Sequence, residues 1–410
     1  MVLPYFCLNM ARKSINLFLQ FSTKPLSRFT FYTQSMKKHL FLTLAAVFLL
    51  AAVLSSAGCV TAPSDSVGPA AETTDMSSQS SDEIDATPYL VLDTDPGCDD
   101  VFACFLAAKV VTEPDMYIAS VGNVPRSLTA ANLAVMDEYL DLKGKTALGA
   151  EKTLWGLDVE YDGFNGIDGL GNISDKLKEA CGFNESEYQF DYQNLDEIAE
   201  ELMRHDNITY LLTGPGSTIA RLLKMEPELK NHIRKLIVMG GGLEIGDTPY
   251  NTEYNFNGDT AALFKLLQSG IQIILFPLDI TVPYYLTKED IAEFKDTGAY
   301  PELTMILEYL GSIDTTYLSI HPDYKWISTK YLIPEGAMAL HDVFPLLYAQ
   351  NPEMFSLTEK KIRAEAFLAS HGRIIEYEFG FPIYVAEEMK DRDYIKDLIL
   401  KAYTSEKVSA

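Results

Sequence analysis

Four carboxylates fall within eight residues at Asp93-Thr-Asp95-Pro-Gly-Cys-Asp99-Asp100. Anions this close repel one another strongly unless a cation or a proton neutralises them. Hard oxygen donors favour calcium or magnesium over zinc. Capping of a following helix by Asp99 or Asp100 is the plainer alternative. It accounts for one carboxylate, not four. Other segments carry polar groups that matter only in company. Val121-Gly-Asn123 and Thr213-Gly-Pro read alone as turns. Met239-Gly-Gly-Gly242 reads as close backbone packing. Glu253-Tyr-Asn255 follows it, and His341-Asp342 precedes an apolar stretch that it would cap as a helix.

These residues need elements to hold them. Pro88-Tyr-Leu-Val-Leu-Asp reads as a buried strand, followed by a helix over Val101 to Val111. Met116 to Val121 is a strand, then Leu128 to Leu142 a helix. Ile208 to Leu212 is a strand, with a helix from Ser217. Lys235 to Met239 and Ile271 to Leu278 are further apolar strands. The alternation predicts an α/β fold with an open, mainly parallel sheet covered by helices on both faces. Lys361 to Ala369 and Arg373 to Phe379 predict a small β-hairpin around His371-Gly372, and Tyr394 to Tyr403 a closing amphipathic helix. The acidic motif and its companions stand just after strand ends, where open parallel sheets place their ligands.

The order Asp93-x-Asp95-Pro-Gly-x-Asp99-Asp100 resembles the N-terminal signature of the nucleoside hydrolase family, and the resemblance runs through residues 89–403. It implies calcium-dependent hydrolysis of the N-glycosidic bond of ribonucleosides. It makes Asp95, Asp100, Asp342 and the Thr213 carbonyl the calcium ligands, with Asp95 also the base that activates the attacking water. Asp99, Asn123, Glu253, Asn255 and Asp342 would hold the ribose, Glu253 and Asn255 at its 5′-hydroxyl. Met239 would line the sugar pocket, with Asp247 beside it where an amide is more typical. Asp93 would support the site, and His341 would stand by the leaving base and help protonate it. The chain also departs from the family. Asn165 opens a glycine-rich segment that usually begins with His, and it cannot titrate. Gly216-Ser217-Thr218 and Pro283 depart as well. Base-facing residues are expected between Ile313 and Glu335, with Tyr317, His321, Tyr324 and Trp326 as candidates.

The 410 residues carry a net charge of −25. Six basic residues and no acidic ones precede Cys59, so the remainder has 27 basic against 58 acidic residues, a balance of −31. Such a surface repels polyanions, which excludes nucleic acid as a natural partner. Met36-Lys-Lys-His, an apolar run from Leu40 to Leu54 and small residues up to Gly58 form a secretory signal pattern ending at Cys59. Cys59 is then the expected lipid-bearing residue of an extracytoplasmic, membrane-anchored protein. An uncleaved anchor is the alternative, although the run is short for a span of about 20 residues. Residues 1–35 are an unassigned extension and 59–88 a core-less tether, leaving 89–410 as the catalytic domain. Cys98, Cys104 and Cys181 form no disulfide framework. Assembly into a homo-oligomer stays open. Two rivals remain: a phosphatase with Asp93 as nucleophile, and a lipoprotein that binds nucleosides without cleaving them.

Overall fold

The structure, a computed structural model, describes residues 87–405 except 162, 249–251, 321–332 and 367–369, and leaves aside the side chains of 314–320. The signal segment, Cys59, Tyr317, His321, Tyr324 and Trp326 therefore lie outside the described residues or side chains. The described part belongs to one compact unit, Glu83–Ala410. No helix among the described residues is long and apolar enough to cross a membrane.

The chain runs β1 (Tyr89–Thr94), α1 (Asp100–Lys109), β2 (Met116–Ala119), α2 (Arg126–Leu140), β3 (Lys145–Leu148), α3 (Ser174–Cys181), α4 (Leu195–Leu202), β4 (Ile208–Leu212) and α5 (Ser217–Met225). It continues with β5 (Ile233–Met239), α6 (Tyr254–Gly258), α7 (Thr260–Leu267), β6 (Gln272–Phe276), α8 (Leu278–Thr281), β7 (Tyr285–Leu286), α9 (Lys288–Asp296) and α10 (Pro301–Ile320). Then come β8 (Met338–Ala339), α11 (Val343–Gln350), β9 (Phe355–Ala364), β10 (Ile374–Glu376), β11 (Phe381–Met389) and α12 (Tyr394–Thr404).

Nine strands form one sheet in the order β10-β9-β11-β6-β5-β4-β1-β2-β3. It is parallel from β11 to β3. The predicted hairpin forms as β9 and β10, and β9 also pairs antiparallel with β11, so the hairpin extends the main sheet. A separate two-stranded sheet joins β7 and β8.

The central strands are apolar on both faces because both are covered. Leu90 and Leu92 of β1 pack in one core with α1, α2, α9, α10, α11 and α12. Val91, between them, packs in the other with α4, α5 and α7. The same alternation places Ile274 and Phe276 of β6 on the first side, Ile273 and Leu275 on the second. Each buried Leu, Ile or Phe contributes roughly 1.5–3 kcal/mol through removal from water. The chain leaves β1 toward β2 and β3 on one side, then returns to β4 on the other. The carboxyl ends of β1 and β4 flank that reversal, where an open α/β sheet has its crevice.

Candidate active site

The acidic motif spans the loop from β1 into α1. Asp95 is buried, its Oδ2 accepting the Asn123 backbone N–H at 2.7 Å, while the Asn123 side-chain amide donates to the Asp95 carbonyl at 3.0 Å. The glycines of the two neighbouring strand ends allow this. A side chain at Gly122 would run into the Asp95 carboxylate, and one at Gly214 would stand 2.8 Å from Asp95 Oδ1. The turn-like Val121-Gly-Asn and Thr213-Gly segments thus enclose Asp95 from both sides. Asp95 Oδ1 is buried and has no hydrogen-bond partner among the described residues. A buried carboxylate oxygen left bare is costly. It marks a place for a cation or a proton.

Asp100 accepts N–H from Gly97 at 2.9 Å, the Asn123 amide at 3.1 Å and the Thr213 hydroxyl at 3.0 Å, and also pairs with the Thr94 hydroxyl. Oxygens of Asp99, Asp100 and Asp342 lie within 4.8 Å of one another. Asp99 and Asp342 precede α1 and α11, yet neither side chain caps its helix. The capping alternative therefore fails for both. Burial pushes the acid of Asp100 up to about 6, with the Asp99 charge adding to it. Burial also raises Asp95, Asp99 and Asp342, and Asp342 is raised further by the charges of Asp100, Asp99 and Asp95. Loss of hydration on burial is the largest cause in all four, and neighbouring carboxylate charges add to it at Asp95, Asp100 and Asp342. Oxygen-only donors, a bare Asp95 oxygen and clustered carboxylates fit a hard divalent cation.

Asp93 belongs to a different environment. It takes the Tyr210 hydroxyl at 2.8 Å and the Ser120 hydroxyl, and burial pushes it up to about 7. Both its oxygens are held by those hydroxyls and it does not line the cavity, which argues against a role as nucleophile toward a phosphoryl group there.

That cavity is lined by Asp99, Asn123, Thr213, Met239, Asp247, Glu253, Asn255, His341 and Asp342 among the expected residues. Asp95 and Asp100 do not line it and stand behind Asn123. Asn255 donates its amide to the Thr213 carbonyl at 2.8 Å and approaches Met239 Sδ at 3.6 Å. Glu253 caps α6. Its Oε1 accepts Asn255 N–H at 2.7 Å, and its Oε2 accepts Gly241 N–H at 2.7 Å and Phe256 N–H at 2.9 Å. Burial raises its acid against those three bonds. Asn165 donates to Asn123 Oδ1 at 2.9 Å and accepts Cys98 N–H at 2.9 Å. It ties the acidic loop to Asn123.

His341 gives its backbone N–H to Asp99 at 3.2 Å, and its Nδ1 lies 2.7 Å from the Thr281 hydroxyl. Burial lowers its pKa to about 4. Ile333 falls in the expected base-facing stretch, while sequence reasoning did not name Phe164, Tyr254, Val282, Leu310, Ala337, Met338 or Ala339, which complete the wall. The only signal was position, since Phe164 precedes Asn165 and Val282 follows Asp279-Ile-Thr281.

The family model described as inosine-uridine preferring nucleoside hydrolase matches residues 90–392. The pyrimidine-specific ribonucleoside hydrolase of Klebsiella pneumoniae is 30% identical over 282 residues, covering 67% of this chain and 84% of that protein. A plant nucleoside hydrolase structure superposes with TM-score 0.64 at 20% identity, covering 77% of this chain and 98% of that one. A purine-preferring ribonucleoside hydrolase from Gardnerella vaginalis does so with TM-score 0.63 at 21% identity, covering 77% and 97%. The two structures establish the fold, and the sequence matches establish an N-glycosidase. The chain belongs to the inosine-uridine preferring nucleoside hydrolase family.

Proposed function

We propose that the protein hydrolyses the N-glycosidic bond of ribonucleosides to ribose and free base, with calcium as its resident cation. The observation that carries this reading is the bare, buried Asp95 oxygen near the Asp99, Asp100 and Asp342 cluster, of which Asp99 and Asp342 line the cavity. Asp95, Asp100, Asp342 and the Thr213 carbonyl would hold the cation. The Thr213 carbonyl accepts one bond from Asn255 and keeps a second lone pair. Calcium, when bound, offsets the carboxylate charge and makes a nearby water easier to deprotonate.

The chain's own groups do the rest. Asp95 takes the proton of the attacking water. Asp99, Asn123 and Asp342 bind ribose hydroxyls. Glu253 has three of about four acceptor directions occupied, so its Oε1 retains one for the 5′-hydroxyl. Fixing the sugar in this way lowers the entropic part of the barrier. Breaking the C1′–N bond builds positive charge at C1′, which the surrounding carboxylates favour. Val282, Leu310, Ile333 and Met338 give an apolar wall beside His341 for the base. We place the enzyme outside the cytoplasm, tethered through Cys59, because of the signal pattern that ends there.

Ribose release from a panel of purine and pyrimidine nucleosides tests the reaction. It should cease with a chelator and return with calcium. Binding of nucleosides without ribose release, in excess calcium, would refute it.

A further inference from the structure

We infer that Thr281 is a positioning residue for cleavage, its hydroxyl holding the His341 ring at Nδ1 so that Nε2 is left for the departing base. This rests on the proposed base-side role of His341. Thr281 closes α8, is fully buried, and has the His341 Nδ1 as its side-chain hydrogen-bond partner among the described residues, at 2.7 Å. A hydroxyl and a ring nitrogen can share a hydrogen in either direction, and the surroundings decide which. If Nδ1–H donated to the hydroxyl, the Thr281 hydrogen would be buried without an acceptor and would lose its hydration uncompensated. If the hydroxyl donates, both groups are satisfied. Nδ1 is then an acceptor, and the ring carries its hydrogen on Nε2. Nε2 makes no hydrogen bond among the described residues, and His341 lines the cavity.

The chemical consequence is specific. When the C1′–N bond breaks, its electron pair stays on the base. Nε2–H can donate a hydrogen bond to the base atom that gains electron density. Solvent then supplies the base's proton. Thr281 acts by holding the donor in the right tautomer and orientation, not by touching substrate.

The test compares uridine or inosine with p-nitrophenyl riboside, whose leaving group departs without a hydrogen-bond donor. Thr281→Val should lower kcat for the nucleoside about tenfold, leave KM within about twofold, and leave turnover of the nitrophenyl riboside nearly unchanged. Thr281→Ser should restore nucleoside kcat. His341→Ala should show the same split between substrates with a larger loss. Equal losses on both substrates in Thr281→Val would overturn the proposal, since they would mean a merely structural role. So would full nucleoside turnover in Thr281→Val while His341→Ala is impaired. If His341→Ala turned over nucleosides normally, the base-side reading of His341 would fail first and the inference with it.

Discussion

Replacing Asp95 with Asn should move stability and turnover in opposite directions. Asp95 keeps one oxygen on the Asn123 N–H at 2.7 Å and buries the other without a partner. An Asn can give its carbonyl oxygen to the same N–H and place its amide where the bare oxygen lay. Its volume still fits between Gly122 and Gly214. What disappears is a charge that burial, and then the Asp100 charge, already disfavours. Two like charges about 4 Å apart cost about 4 kcal/mol at an effective dielectric constant near 20. Partial protonation relieves most of that, so the cation-free variant should be more stable by about 1–2 kcal/mol, or roughly 2–6 °C in Tm. Turnover should fall about 10²–10⁴-fold from loss of the base, with loss of a cation ligand adding to it. Thermal melts in chelator and in calcium, with ribose release measured alongside, give both signs. In excess calcium the native chain should gain more in Tm than the variant. Near-normal turnover would remove Asp95 from the mechanism. A lower Tm in chelator would show that its carboxylate is a needed structural acceptor and not an uncompensated anion.

Three other outcomes are expected. Asp93 and Asp100 have acids raised to about 7 and about 6 by burial. The folded chain therefore binds more protons than the unfolded chain from roughly pH 4 up to those values, and stability falls as pH rises through that window. Chelated protein should melt higher at pH 5 than at pH 7.5, and calcium should remove the Asp100 part while leaving the Asp93 part. A flat chelated profile would contradict this. Nucleosides should be preferred over their 5′-monophosphates by at least about 100-fold in kcat/KM, since Asp99, Asp247, Glu253 and Asp342 line the cavity and no Lys or Arg does among the described residues. Equal turnover of uridine and its monophosphate would force another placement of the sugar. Mass spectrometry of the native N-terminus should find a lipid-modified Cys59, and an unmodified terminus at Met1 or Met36 would refute processing there.

The central sheet was legible because strands buried on both faces read as short apolar runs, and β1, β4, β5 and β6 all have that form. β3 and β11 were not. β3 is four residues beginning with an exposed Lys145. β11 opens with Phe381-Pro382 and carries exposed Glu387 and Glu388, so its composition resembles a loop although it joins the hairpin to the parallel sheet. The sequence reading left α9 unassigned, and α10 runs to Ile320, into the stretch expected from Ile313 to be a base-facing loop.

For the site, residue type carried most of the reading and pairing carried the remainder. Carboxylates crowded into one loop signal their chemistry from sequence, because repulsion there is independent of the rest of the fold. The Thr281 and His341 contact joins residues sixty apart, and a lone Thr after a strand has no signature. Asn165 read as the loss of a titrating group. In the structure it is a two-sided clamp between Asn123 and the Cys98 N–H. Glu253 shows the limit most clearly. Its type suggests a partner for a sugar hydroxyl, yet three backbone N–H groups hold it, one of them from Gly241 in the glycine run. Backbone donors leave no trace in residue identity. The glycine run and Glu253 therefore read as separate motifs, although Gly240 and Gly241 pack against the Phe256 ring beside the capped turn. One carboxylate joins the glycine run to the capped turn and still keeps an acceptor direction for the ribose hydroxyl proposed to bind there.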